Sequence, residues 1–154
     1  MQFTLDILAK TRQFFGQFLE NTSLEDLNKV PEGFNNNIIW NIGHIVVTQQ
    51  LLAYKLSGLP MMVDEVMISK YMKGTKPEGV VSQEEVNNIK ALLFSTLEKT
   101  KEDVENGVFK TFNSYTVSTT GNTLNTIEDA FDFILFHEGM HLGYVMALVR
   151  AINS

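Results

Sequence analysis

The sequence predicts an all-α protein: a four-helix bundle with a long crossover between the second and third helices. Three observations predict it. Apolar residues recur at helical spacing in four long segments, capping residues open most of them, and one connection is long enough to run the length of a helix. At 154 residues, with no internal repeat, low-complexity tract or linker, positions 1–154 read as one domain.

The first helix runs from about Phe3 to Glu20, with Leu5, Leu8, Phe15, Phe18 and Leu19 at helical spacing, and ends at Asn21 and Thr22. Ser23-Leu24-Glu25-Asp26 caps a short helical turn that stops near Pro31 and Gly33. Asn35, Asn36 and Asn37 supply an N-cap for the second long helix, roughly Ile38 to Leu56, which Gly58 and Pro60 close. That helix is apolar on most sides, so it is either central or covered by another subunit. Gly58 to Val81 is a long connection in which Met61, Met62 and Met67 form either a pliable lid or ordinary packing. Ser82-Gln83-Glu84-Glu85 is a capping box that opens the third helix, which ends at Asn106-Gly107. Lys99, Lys101, Glu102, Asp103 and Glu105 read as its solvated face. Phe109 to Asn122 is a polar loop with room for a short strand at Tyr115 and Val117. Thr126-Ile127-Glu128-Asp129 caps the fourth helix, which runs to about Ile152.

Extended chain covers about 3.3 Å per residue, so the connection after Gly58 can travel the length of a helix of roughly 30 Å. Helices two and three can then run parallel, unlike simple up-down-up-down order.

Composition narrows the function classes. A hydrophobic content of 44% with 11 Phe fits a packed core rather than disorder. A net charge of −6, with no basic run, argues against a nucleic-acid partner. The chain has no cysteine, so a metal must rest on imidazole, carboxylate, carbonyl or water. Residues Met1 to Asp6 lack the basic start of a signal peptide, and no stretch approaches the roughly 18 apolar residues of a membrane span. A cytoplasmic location with no membrane partner is expected.

The chemistry lies in three histidines, two of them in His137-Glu138-Gly139-Met140-His141. Positions i and i+4 share one helix face, and a helical H-E-x-x-H can grip a metal from one side. On a helical wheel His137, Glu138 and His141 fall in the apolar arc of Ile134, Val145 and Leu148, and His44 shares a stripe with Trp40, Val47 and Leu51. A lone inward histidine is usually a hydrogen-bonded core residue. Here all three point inward, and each imidazole buried without partners costs about 1–3 kcal/mol. A shared metal satisfies one nitrogen of each.

A zinc protease would use Glu138 as general base and a ligand downstream, but no His, Asp or Glu follows His141. The third ligand must lie upstream, and His44 is the histidine left. Three neutral imidazoles leave an open position for water or substrate. The expected cofactor is one divalent ion, zinc or nickel first, with iron or manganese as alternatives; imidazole also suits copper. Glu138 is the candidate catalytic residue, either a general base or an acceptor orienting a histidine, against the plainer reading of a helix carboxylate. Asn41 and Thr48 either line a pocket or bond between helices. Trp40, Tyr144, Phe131, Phe133 and Phe136 read as core or dimer contacts.

Trp40-Asn41-Ile42-Gly43-His44-Ile45 together with His137-Glu138-Gly139-Met140-His141-Leu142-Gly143 resembles the DinB-like family of metalloenzymes. The resemblance covers nearly the whole chain, including the Pro31-Glu32-Gly33 loop and the capped third helix. It implies an up-down-down-up four-helix bundle, one divalent metal on the residues matching His44, His137 and His141, and a homodimer. The family includes transferases that attach low-molecular-weight thiols such as bacillithiol to electrophiles, and thiol-dependent isomerases. The resemblance therefore implies a thiol and an electrophilic small molecule as partners. A non-catalytic metal-binding or dimerising bundle is the alternative, and a metal-dependent hydrolase a further one. Where members often carry Gln, this chain has Tyr144.

Overall fold

Side-chain caps open nearly every helix of the computed structural model, which describes residues 1–154. Helix α1 spans Gln2–Asn21, and α2, Leu24–Asn28, begins where the Ser23 hydroxyl accepts from the Asp26 N–H. Helix α3 spans Ile38–Gln49 and starts where Asn37 Oδ1 accepts from the Trp40 N–H at 2.9 Å. It continues as a π-helical segment, Gln50–Lys55. Helices α4 (Glu65–Tyr71) and α5 (Gln83–Glu105) are capped by Asp64 and Ser82. Helix α6, Ile127–Ile152, opens with a complete Thr126–Asp129 capping box. Two short strands, β1 (Tyr115–Thr116) and β2 (Thr123–Leu124), pair antiparallel with Tyr115 opposite Leu124.

The protein is thus mostly helical, as expected. Helices α1 and α3 each pack against both α5 and α6. One apolar cluster gathers Phe15, Ile42, Leu93 and Leu148, and a second gathers Leu8, Leu97, Phe131 and Ile134. Every residue from Ile38 to Val47 is buried, so α3 is the central helix. Its apolar surround is covered within this chain by α2, α4, α5 and α6, which removes the need for a second subunit there.

Three local readings change. The long connection is not featureless, because it holds α4. Seven residues are too few for an isolated helix, and α4 stands because Met67, Ile68 and Tyr71 bury against the core. Met67 is therefore packing rather than lid. The second long helix widens to π geometry over its last turns, where the buried amides of Gln49 and Gln50 are in use. Gln49 Nε2 donates to Thr100 Oγ1 at 2.8 Å, and Gln50 Oε1 accepts from Met62 N at 2.7 Å. Asp103 is buried rather than solvated, accepting from Tyr54 Oη and Lys99 Nζ, each at 2.7 Å. No helix is long and apolar enough to cross a membrane.

Candidate metal centre

Helices α3 and α6 bring the three histidines together. The ring centroids of His44 and His137 lie 5.0 Å apart, those of His44 and His141 4.8 Å, and those of His137 and His141 4.5 Å. One nitrogen from each ring lies within 4.8 Å of the others, and His44 and His137 are buried. Residues far apart along the chain therefore converge as expected.

The hydrogen bonds set which nitrogens are free. His44 Nδ1 lies 2.6 Å from the carbonyl oxygen of Tyr71, which can only accept, so Nδ1 carries the proton and Nε2 a lone pair. His141 Nδ1 lies 2.7 Å from Asn41 Oδ1. The Asn41 amide is oriented by its own nitrogen, which donates to Asn36 Oδ1 at 2.8 Å and to the Asn37 carbonyl at 2.7 Å. Hence Nδ1 of His141 donates and its Nε2 is also bare. His44 Nε2 faces His137 Nε2 at 3.2 Å. For His44 and His141 this is the arrangement of metal-binding imidazoles, the ring held in one tautomer by an acceptor behind it.

Burial pushes all three imidazoles toward the neutral form. It lowers His44, drives His141 down to about 4 and, with the other two histidines and Lys73 adding positive potential, drives His137 down to about 2. Neutral rings are what a cation requires. His137 Nδ1 is buried without a hydrogen-bond partner. Converging lone pairs repel one another unless a proton or a cation lies between them, so the donor set fits a divalent ion. Nitrogens around a tetrahedral ion with bonds near 2.1 Å stand roughly 3.4 Å apart, so small side-chain rotations would close the set.

Trp40 stacks on His44 with ring centroids 4.7 Å apart and planes 10° from parallel, and its Nε1 donates to Thr75 Oγ1 at 3.1 Å. Phe133 stacks on His137 at 6.1 Å. Gly43 leaves room for the Tyr71 ring, since a Cβ there would stand 2.6 Å from Tyr71 Cδ1. The residue beside His44 is thus small so that Tyr71 can bring its carbonyl to the imidazole.

Beside His44 and His137 opens a cavity of about 350 Å³. Its walls include Thr48, Leu51 and Leu52 from the end of α3 and the π segment, Phe133 from α6, and Val117 near the hairpin. Thr48 therefore lines the pocket, whereas Asn41 orients His141.

Glu138 points elsewhere. It is completely buried and bound by Arg12, with Nη2 to Oε1 at 2.7 Å and Nε to both carboxylate oxygens at 3.2 and 3.3 Å. Arg12 Nη1 donates to the Leu93 carbonyl at 2.8 Å and to Thr96 Oγ1 at 2.9 Å. Burial raises the Glu138 carboxyl, and Arg12 pulls it back toward the charged form. The candidate general base is thus a bridge among α1, α5 and α6, one position round the helix from the histidine face. Tyr144 packs edge-on against Phe34 at 5.5 Å and flanks a shallow recess beside His141. Phe131 is core, and Met61 and Met62 do not line the cavity.

Sequence reading missed Arg12, Tyr71 and the two cavity lysines, Lys55 and Lys73. Arg12 was detectable, since it continues the Leu5, Leu8, Phe15, Leu19 stripe. Tyr71 contributes a backbone carbonyl, which no residue type signals.

A mostly helical protein with three convergent imidazoles that could hold a metal ion is the class that fold and site define. The chain belongs to the DinB superfamily, whose family model matches residues 7–145. A crystal structure of a conserved protein from Enterococcus faecalis is similar in fold, with a TM-score of 0.69 at 13% identity, covering 99% of this chain and 96% of that one. No curated protein matches the chain.

Proposed function

We propose that this protein is a divalent-metal-dependent enzyme that uses a low-molecular-weight thiol as nucleophile. The observation that carries the proposal is the convergence of three imidazoles within 4.8 Å beside a cavity of about 350 Å³. His44, His137 and His141 are the ligands, and zinc or nickel is the ion their nitrogen-only set suits first. Such an ion supplies Lewis acidity, lowering the pKa of a thiol or water in its open position. The chain has no cysteine, so the nucleophile would come from a partner molecule, with a small electrophile as acceptor. Tyr71 and Asn41 hold two ligands in their metal-binding tautomers, while Leu51, Leu52 and Phe133 restrict water at the cavity wall. Glu138 has no part in this chemistry, because Arg12 engages its carboxylate.

An up-down-down-up bundle belongs to the same reading. Thr4 and Arg12 meet Asp132 and Glu138, so α1 and α6 advance together, whereas Asn41 and His44 meet His141 and His137 in reverse order. Gln49 and Tyr54 meet Thr100 and Asp103 in step, which fits parallel α3 and α5. A homodimer is also part of the proposal. Exposed Phe136, Met140 and Met146 on α6 favour that helix over α3 as its contact, and sedimentation of wild type against Met140→Lys tests it. A monomeric wild type would end the dimer reading.

The metal reading is tested on purified protein. About one ion per chain should be retained, and His44→Ala or His137→Ala should lose it. Trp40 is the sole tryptophan and stacks on a ligand, so cobalt titration should quench its emission in wild type and fail to do so in the variants. Equal metal content in all three proteins would sink the assignment. An absorption spectrum of the cobalt form that no thiol alters would sink the thiol role while leaving the ion in place.

A further inference from the structure

The cavity beside the histidines has a charge character of its own. Lys55, at the end of the π segment, and Lys73, just after α4, both line it, and no Asp or Glu does. The chain as a whole carries a net charge of −6, with 18 acidic residues, so an acid-free wall bearing two cations departs from its surroundings. Lys70, Lys90, Lys99 and Lys101 all sit in ion pairs with carboxylates, and neither cavity lysine does. Lys73 instead donates to the Ser118 hydroxyl, which brings it over the cavity from the hairpin side. Leu51, Leu52 and Phe133 give the same cavity an apolar lining.

We propose that Lys55 and Lys73 make this cavity select an anionic small molecule with an apolar body, its acidic group at the lysines and its other end toward His44 and His137. The inference rests on the metal-and-thiol reading for which end reacts, but the charge preference stands on the cavity alone. A carboxylate is the simplest such anion. A phosphate ester presents the same chemistry, and the experiment separates the two.

Two arms of one experiment decide the matter. In the first, cobalt-loaded protein is titrated with 3-mercaptopropionate, 2-mercaptoethanol and 2-mercaptoethylamine, thiols of similar length and differing charge, and absorption reports binding. The acid should bind about tenfold more tightly than the neutral thiol, the amine should be weakest, and added salt should narrow the spread. In the second, hexanoate, hexyl phosphate and hexanol are titrated calorimetrically into metal-free protein, and the two anions should outrank the alcohol, with the tighter of them naming the acidic group. The Lys55→Gln/Lys73→Gln variant should lose the preference in both arms, whereas Lys90→Gln, which pairs with Glu20 and does not line the cavity, should keep it. Binding that ignores charge, or a preference that survives in the double variant, overturns the proposal. If cobalt is not retained, the metal reading fails, and the second arm still judges the cavity by itself.

Discussion

The amide of Asn41 illustrates how little a side chain must do to matter. It stands outside the cavity beside His44 and His137, yet its oxygen fixes which nitrogen of His141 is bare. Partners of this kind behind metal-binding histidines typically contribute 10–100-fold in affinity. Asn41→Ala should therefore weaken cobalt binding by roughly that factor while leaving the fold intact, as Trp40 quenching would report. Unchanged affinity would mean that His141 is oriented by packing alone. The same histidines make stability depend on pH. An unfolded histidine titrates near 6.5, whereas His141 is held down to about 4 and His137 to about 2. Between those values the unfolded chain binds protons that the native site refuses, so stability falls as pH drops through 6.5 toward 4. Each titrating group contributes about 1.4 kcal/mol per pH unit over that window. Urea midpoints of metal-free protein should decline from pH 7 to pH 5, and a flat profile would contradict the burial of the site.

Between helices, the Arg12–Glu138 pair and the Gly43–Tyr71 contact hold the site in place. Arg12→Met should destabilise the protein by about 3–5 kcal/mol, because a buried carboxylate is left without its cation. Replacing both residues with Met should restore most of that loss and leave metal binding unchanged. Metal binding lost in a folded double variant would return Glu138 to the chemistry. At Gly43 the expected defect is different. A methyl group there meets the flat of the Tyr71 ring at 2.6 to 2.9 Å, and overpacking of this kind costs about 1–3 kcal/mol. Gly43→Ala should also move the Tyr71 carbonyl off His44 and weaken metal binding. Gly16→Ala serves as a control, since its Cβ would meet only the tip of the partly exposed Phe94 ring, which can turn away.

At the scale of the whole molecule, the ion would join α3 to α6, with Tyr71 tying in the end of α4. Binding restricted to the native state raises stability by about 2.7 kcal/mol at a free ion concentration one hundred times Kd. For a chain of this size that corresponds to roughly 5–10 °C in Tm. A calorimetric scan with and without zinc should show the rise in wild type and none in His137→Ala. A Tm that zinc leaves unmoved in wild type would mean that the ion does not bridge these helices.

What the sequence determined by itself is the set of local decisions. Caps at Ser23, Asn37, Ser82 and Thr126 mark where helices begin, because a side-chain oxygen satisfies backbone N–H groups wherever the chain is placed. The spacing of His137 and His141 carries the metal hypothesis for a similar reason: helical geometry alone stacks them on one face. The tertiary structure decided what depends on which faces meet. Glu138 lies within the same apolar arc as the histidines, and only the packing of α1 against α6 turned it from candidate base to partner of Arg12. Helix α4 persists because its apolar residues find a core, not because seven residues favour a helix. The Tyr71 carbonyl, Lys55 and Lys73 reach the site through the π segment and the crossover, where the path of the backbone, rather than residue type, sets who is neighbour to whom.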